Sequence, residues 1–225
     1  MNISSLPGWV LGASLLGFAI TSVFVWRWKL ARNLFLIPYV CLVGMFLYAF
    51  SILYDVDPGA ILARNWVWGV LAGGLTSLFL IRHVRSQPAS RHSTGPVLLF
   101  ELTWAGLIYG LIDALFLNVF PVIMVWEATS GLAWTLTPWG KVGVGVLGLS
   151  ASLMVAAAYH LGYPEFRGSK MRFVFTGNGI ITLAFLLSGN PLGALISHPV
   201  MHIAAVLQGA ETTVQLPPHY EPIAR

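Results

Sequence analysis

The sequence contains few charged residues and only one cysteine. Charged residues make up 9% of the 225 residues, whereas a soluble domain usually carries about 25%. This composition excludes an ordinary water-exposed globular domain. The single cysteine, Cys41, excludes an internal disulfide and leaves the redox compartment open. The basic residues lie in short clusters between apolar runs rather than on one face or stripe, so we expect no nucleic-acid partner.

Hydrophobic residues make up 57% of the chain and gather into segments long enough, or nearly long enough, to cross a bilayer. The sequence therefore predicts an all-α polytopic transmembrane bundle of about seven spans. It forms one domain over residues 1–210, followed by an irregular cytoplasmic tail over residues 211–225. The predicted spans are Leu6–Trp26, Leu34–Tyr54, Ala60–Ile81, Pro96–Val119, Val142–Tyr163, Phe173–Leu187 and Leu192–Leu207. We expect a kink or break near Pro121 and a tight turn at residues 188–191.

The basic residues also predict an orientation. If the spans alternate, all but two of the 12 Lys and Arg residues fall on the same side, the exceptions being Arg64 and Lys141. Because cytoplasmic loops carry the excess of Lys and Arg, the N-terminus should lie outside and the C-terminus in the cytoplasm. We expect an integral protein of a bacterial plasma membrane that contacts lipid and retains its first span.

Several ionisable residues lie within or at the ends of the later spans. Asp113 lies in the middle of the fourth span, where an unpaired carboxylate would take up a proton or find a partner. His198 and His202 share one helical face, a spacing that suits two metal ligands or two groups around one substrate atom. His160 ends the fifth span, and Glu101, in the fourth, is a possible auxiliary residue. The remaining histidines, which we assign no role, are His83, His92 and His219.

The order of these polar residues resembles that of the CAAX-processing and bacteriocin-processing intramembrane proteases, the CPBP or ABI superfamily. Its members carry the motifs Glu-Glu-x-x-x-Arg, Phe-x-x-x-His and His-x-x-x-Asn on successive spans. The matching positions here are Asp113-Ala114 with Asn118, Ala156 with His160, and His198 with His202. Only the two histidines at positions 160 and 198 are identical to the motifs. The resemblance implies a CPBP-like core over about residues 96–209.

The resemblance also implies an endopeptidase that hydrolyses a membrane-associated peptide. Asp113 would activate a water molecule, His160 would help to orient it, and His198 and His202 would stabilise the oxyanion. Asn118 stands where the family has arginine and is a second possible auxiliary residue. We expect a hydrolase whose dependence on an acid or on a metal is open.

Two other functions stay open at this point. One carboxylate and three histidines, namely Asp113, His160, His198 and His202, make a competent ligand set for Zn²⁺ or another divalent metal. The chain could therefore be a non-proteolytic membrane protein that binds a metal or another ligand there. A transporter or scaffold with a polar core is the third possibility, although the sequence shows no internal repeat of the kind that transporters often contain.

Overall fold

The computed structural model describes residues 6–220, which form helices, turns and irregular segments without a β-strand. Within this part of the chain, seven helices are long and apolar enough to cross a membrane. This confirms the predicted all-helical class, the number of spans and an integral membrane protein. The helices are α1 Pro7–Arg27, α2 Arg32–Leu53, α3 Pro58–Ala63, α4 Trp66–Arg85, α5 Gly95–Thr129, α6 Pro138–Leu161, α7 Met171–Ser188 and α8 Leu192–Gly209; α3 is too short to span.

The third span begins later than the sequence predicts. Instead of one helix from Ala60, the short helix α3 is followed by a break at Asn65, which adopts a left-handed conformation with φ of 55°. Asp57 caps the start of α3, because its side chain accepts a hydrogen bond of 3.0 Å from the Ala60 amide. The α3–α4 junction therefore forms one end of the bundle.

Helix α5 runs through the centre of the bundle and is the most buried of the seven spans. The helix does not break at Pro121. It contains two π-helical stretches, Leu102–Ile108 and Ala114–Val119, and the second directly precedes the proline-containing turn. Proline has no amide proton to donate to the carbonyl four residues earlier. That carbonyl, of Leu117, instead accepts a hydrogen bond of 2.6 Å from Ser152 Oγ on α6.

The predicted turn at residues 188–191 joins α7 and α8. Gly189 has a φ of 64°, a conformation that glycine adopts without steric cost. The Asn190 side chain donates to the backbone carbonyls of Leu62, at 2.9 Å, and Arg64. These bonds hold the last helical hairpin against the α3–α4 junction.

Helices α5 and α8 approach closely at two glycines spaced four residues apart. A Cβ atom on Gly110 would lie 2.5 Å from Pro199 Cα, and one on Gly106 would lie 2.9 Å from Ile203 Cγ1. Small residues at this spacing allow two membrane helices to pack backbone against backbone. The close contact places Asp113, one turn after Gly110, beside the histidine face of α8.

The end of the bundle that lies opposite the α3–α4 junction carries most of the arginines and lysines, and we call it the basic end. The described part of the tail, residues 211–220, has no helix or strand and lies against this end. The rest of the predicted tail, residues 221–225, lies outside the described residues. That the basic end faces the cytoplasm stays a prediction from the charge distribution.

Candidate functional site

Asp113, His198 and His202 converge between α5 and α8. Each offers one ligand atom, and these atoms all lie within 4.8 Å of one another. Asp113 Oδ2 is 3.8 Å from His198 Nε2 and 3.6 Å from His202 Nε2. All three residues are buried, with at most 4% of any of them exposed. The two imidazole rings are stacked, with centroids 5.1 Å apart and planes 4° apart, as their spacing on one helical face requires.

Asn118, one helical turn after Asp113, is held in one orientation by polar residues of α7. Its Nδ2 group donates to Asn178 Oδ1 at 2.9 Å and to Thr182 Oγ1 at 2.8 Å. Thr182 in turn donates to the backbone carbonyl of Asn178. Because these partners accept from the Asn118 amide group, its Oδ1 atom points the other way, towards α8.

The orientation of Asn118 fixes the tautomer of His198. His198 Nδ1 lies 2.8 Å from Asn118 Oδ1, which can only accept a hydrogen bond. His198 Nδ1 therefore carries the proton. In the neutral imidazole, Nε2 then holds a lone pair, and that atom faces Asp113. Metal-binding and catalytic histidines are commonly oriented by such a bond on the other ring nitrogen.

The second carboxylate oxygen of Asp113, Oδ1, is in contact with a residue of α2. Tyr39 donates its hydroxyl to Asp113 Oδ1. Tyr39 is fully buried in a cluster of tyrosines in which Tyr109 and Tyr159 hydroxyls lie 2.8 Å apart and Tyr159 and Tyr163 hydroxyls lie 2.7 Å apart. These hydroxyls make a polar wall behind the carboxylate and leave Oδ2 directed at the histidines.

His202 has a different environment from His198. Neither of its ring nitrogens has a hydrogen-bond partner among the described residues, although the residue is only 2% exposed. A neutral imidazole carries one N–H, and a buried donor without a partner costs about 1–3 kcal/mol. The Tyr109 ring packs against it, with centroids 4.7 Å apart, and supplies no acceptor to either nitrogen. The ring nitrogens of His202 are therefore available to bind a group that enters the site.

The three residues open onto a cavity of about 110 Å³ between α4, α5, α7 and α8. Several water molecules fit in this volume. Apolar side chains make up most of the outer wall, among them Phe79 and Phe173, which are 53% and 39% exposed on the surface that lipid would cover. The cavity therefore has a polar centre and a largely apolar outer wall.

The other predicted site residues lie in different places. His160 lines the same cavity but is not one of the three converging residues, and its Nδ1 donates to the Ala156 carbonyl at 2.8 Å. Glu101 does not line the cavity and accepts a hydrogen bond of 3.1 Å from Ser93 near the start of α5. His83, to which the sequence analysis gave no role, lines the cavity.

The donor set of Asp113, His198 and His202 could hold a divalent metal. Tetrahedral Zn²⁺, with bonds of about 2.0–2.1 Å, holds neighbouring ligand atoms roughly 3.4 Å apart. The separations of Asp113 Oδ2 from the two histidine nitrogens, 3.6 and 3.8 Å, are close to that value, and no two of the three ligand atoms lie more than 4.8 Å apart.

Comparisons of the chain with protein-family models, curated proteins and solved structures find no match.

Proposed function

We propose that this chain is a divergent CPBP-like intramembrane endopeptidase that hydrolyses a membrane-associated peptide at Asp113, His198 and His202. The observation that supports this proposal is the pair of atoms Asp113 Oδ2 and His198 Nε2. Both are hydrogen-bond acceptors when the imidazole is neutral and the acid is ionised, and they face each other at 3.8 Å. Two acceptors cannot bond to each other, but one water molecule can donate a proton to each. Such a water is held between two bases, one of which can act as the general base.

Each residue then has a distinct role. Asp113 and His198 hold the water, and Asp113 takes its proton as the oxygen attacks the peptide carbonyl. Asp113 then gives this proton to the amine as the C–N bond breaks. His202, whose ring nitrogens have no other partner, donates an N–H to the oxyanion that develops. Neutral His198 cannot act as a second oxyanion donor, because its only N–H is bonded to Asn118. The family resemblance implies that both histidines donate to the oxyanion. In this proposal only His202 does so, whereas His198 accepts a hydrogen bond from the attacking water.

A membrane-associated substrate fits the apolar outer wall between α4 and α7, which would be the entrance for its apolar part. The exposed rings of Phe79 and Phe173 border the cavity where α4 and α7 face the lipid. The apolar part of a membrane-tethered peptide would lie against these helices, and its polar part with the scissile bond would reach Asp113 from the basic end. Water would reach the same site from the basic end.

Cleavage of membrane-tethered peptides tests the endopeptidase. A set of fluorogenic peptides in liposomes should be cleaved by the purified chain, and Asp113→Asn and His198→Gln should each lower the rate by about 10²–10⁴-fold. The matched controls are Asp57→Asn, which keeps the cap of α3, and His92→Gln at an exposed loop position. Full activity of either site variant would exclude this assignment.

A metal centre without peptidase activity is the second candidate. The observation that favours it is that both ring nitrogens of His202 are buried without partners beside a carboxylate oxygen 3.6 Å away. Asp113, His198 and His202 would be the protein ligands of Zn²⁺ or another divalent cation. Such a cation, when bound, would polarise a water molecule or a carbonyl group.

Elemental analysis of the purified protein separates these candidates. The metal-centre hypothesis predicts one divalent ion per chain. The ion should be lost in His202→Ala, which removes one of the three converging ligands, and retained in His160→Ala, which does not. Metal with cleavage that a chelator abolishes would identify a metallopeptidase. Metal without cleavage would favour the non-proteolytic centre, and absence of metal from the active wild-type protein would leave the water-based mechanism.

A further inference from the structure

Residues 211–220, here called the strap, turn back across the basic end after α8 instead of leaving the bundle. The strap is irregular, yet Thr213 and Leu216 are fully buried. Arg32, at the start of α2, donates from Nε to the Leu216 carbonyl at 2.8 Å and from a terminal nitrogen to the Ala210 carbonyl at 3.0 Å. One guanidinium thus holds the strap at the Leu216 carbonyl and also binds Ala210, the residue directly before the strap.

Two further attachments lie on either side of Arg32. Gln87, in the α4–α5 loop, accepts a bond of 2.9 Å from the Val214 amide through Oε1 and donates from Nε2 to the Gln215 side chain at 2.8 Å. Glu165, in the α6–α7 loop, accepts bonds from the His219 amide at 3.0 Å and from its Nδ1 at 2.9 Å. Leu216, Val214 and His219 are thus held through backbone groups. The strap is also held through side chains, namely those of Glu211, Thr212, Gln215, His219 and Tyr220.

The strap also forms part of the cavity wall. Val214, Gln215 and Pro217 line the same cavity as Asp113 and His202. The entrance between α4 and α7 faces lipid, so a polar molecule from water would approach from the basic end. The strap stands on that route.

We propose that the strap occupies a groove for extended polypeptide and that a substrate segment must displace it to reach the site. Arg32 and Gln87 would bind the backbone of the incoming segment as they now bind the strap, through carbonyl and amide groups that every peptide has. The strap is then an intramolecular competitor for the substrate. Its role as competitor rests on the proposed peptidase function, whereas its covering of the cavity does not.

Accessibility of a cysteine in the cavity tests the covering without measuring cleavage. Leu80, which is 2% exposed and lines the cavity, is changed to cysteine in a Cys41→Ser background, and a charged thiol reagent is added in excess. Truncation after Ala210 and the point variant Arg32→Gln should each raise the labelling rate by about tenfold or more, because local opening then costs less. Arg85→Gln, at an exposed position without a strap contact, is the matched control. A cysteine at Ser130, an exposed turn position outside the spans, should label at the same rate in all backgrounds.

A synthetic peptide with the sequence of residues 211–220 tests the groove. Added to the truncated chain, it should restore the slow labelling of the Leu80 cysteine, and Arg32→Gln should prevent this restoration. Unchanged labelling in both the truncated chain and Arg32→Gln would overturn the strap as a cover. Fast labelling that the peptide does not slow would overturn the groove. If both tests succeed but the chain cleaves no peptide, the peptidase proposal is refuted. The groove for extended polypeptide then remains supported.

Discussion

Asp113 Oδ2 and His198 Nε2 face each other 3.8 Å apart, and the bond from His198 Nδ1 to Asn118 Oδ1 makes Nε2 an acceptor, as the oxygen of the ionised carboxylate already is. Such a pair binds whatever can satisfy two acceptors at once: a water molecule, a cation or a proton. A site built in this way depends on Asn118 as much as on the residues that touch the bound group. Its function can therefore be tested at a position that takes no part in the chemistry.

Asn118→Ala should weaken the site without removing any of the three converging groups. The change leaves the His198 Nδ1–H buried without its acceptor, so the imidazole can change tautomer and present N–H instead of a lone pair to Asp113. Loss of such an orienting partner usually costs about 10–100-fold in metal affinity or activity. The rate of peptide cleavage and the affinity for Zn²⁺ are the measurements. Asn33→Ala, at an exposed asparagine, should change neither of them.

Tyr39→Phe should affect the carboxylate in a similar way. The variant removes the hydroxyl that donates to Asp113 Oδ1 and keeps the aromatic ring packed in the tyrosine cluster. Asp113 would then be free to rotate and to bond elsewhere, and we expect a loss of about 10–100-fold in cleavage or metal affinity. Tyr48→Phe is the control, because Tyr48 lies in the same helix and is 68% exposed. Equal activity of the Tyr39 variant and wild type would show that the hydroxyl does not position Asp113.

The number of spans, the shared face of the two α8 histidines and the position of Asp113 within a span could be predicted from the sequence. Apolar length reports a membrane helix directly, and a spacing of four residues places two side chains together on any helix. The depth of Asp113 within a span marks it as a costly group that needs partners. These inferences use neighbours along the chain, and the structure brings the three residues together.

The partners from other helices could not be predicted in the same way. Tyr39 lies on α2, far from Asp113 in sequence, and the first three spans contain no motif that would draw attention to it. In the comparison with the CPBP motifs, Asn118 is only the residue at the arginine position. Nothing in its local sequence indicates a bond to His198. One available signal was missed: Gly106 and Gly110 precede Asp113 at the spacing typical of close helix contacts.

Gly110→Ala should separate α5 from α8 and disturb the site from a distance. The added methyl group would lie 2.5 Å from Pro199 Cα, a backbone atom that cannot rotate away. Overpacking of this kind usually costs about 1–3 kcal/mol, and the shift would also widen the distance from Asp113 to the histidines. Thermal unfolding in detergent should show a lower midpoint, together with weaker metal binding. Gly145→Ala, where no atom lies near the new methyl group, should not lower the midpoint.

Acidification should release one anchor of the strap before the others. Burial raises the pKa of Glu165, but the hydrogen bonds and charge of His219 and the charge of Lys170 outweigh it, so the pKa lies below its ordinary value of 4.5. A carboxylate whose pKa is lowered by folding stabilises the folded state above the unfolded pKa. That contribution disappears as the pH falls through the lower, folded pKa. The strap should therefore stay in place from neutral pH down to 4.5 and loosen at His219 below that value.

Hydrogen exchange of the strap amides, corrected for the intrinsic effect of pH, measures this release. The His219 amide is bonded to the titrating carboxylate and should lose protection below pH 4.5. The Val214 amide is bonded to the neutral side chain of Gln87 and should keep its protection, which makes it an internal control. In Glu165→Gln, protection at His219 should already be lower at neutral pH and should no longer depend on acidification. Loss of protection at both amides together would show that the strap unfolds as one unit, in which case Glu165 is not a separate anchor.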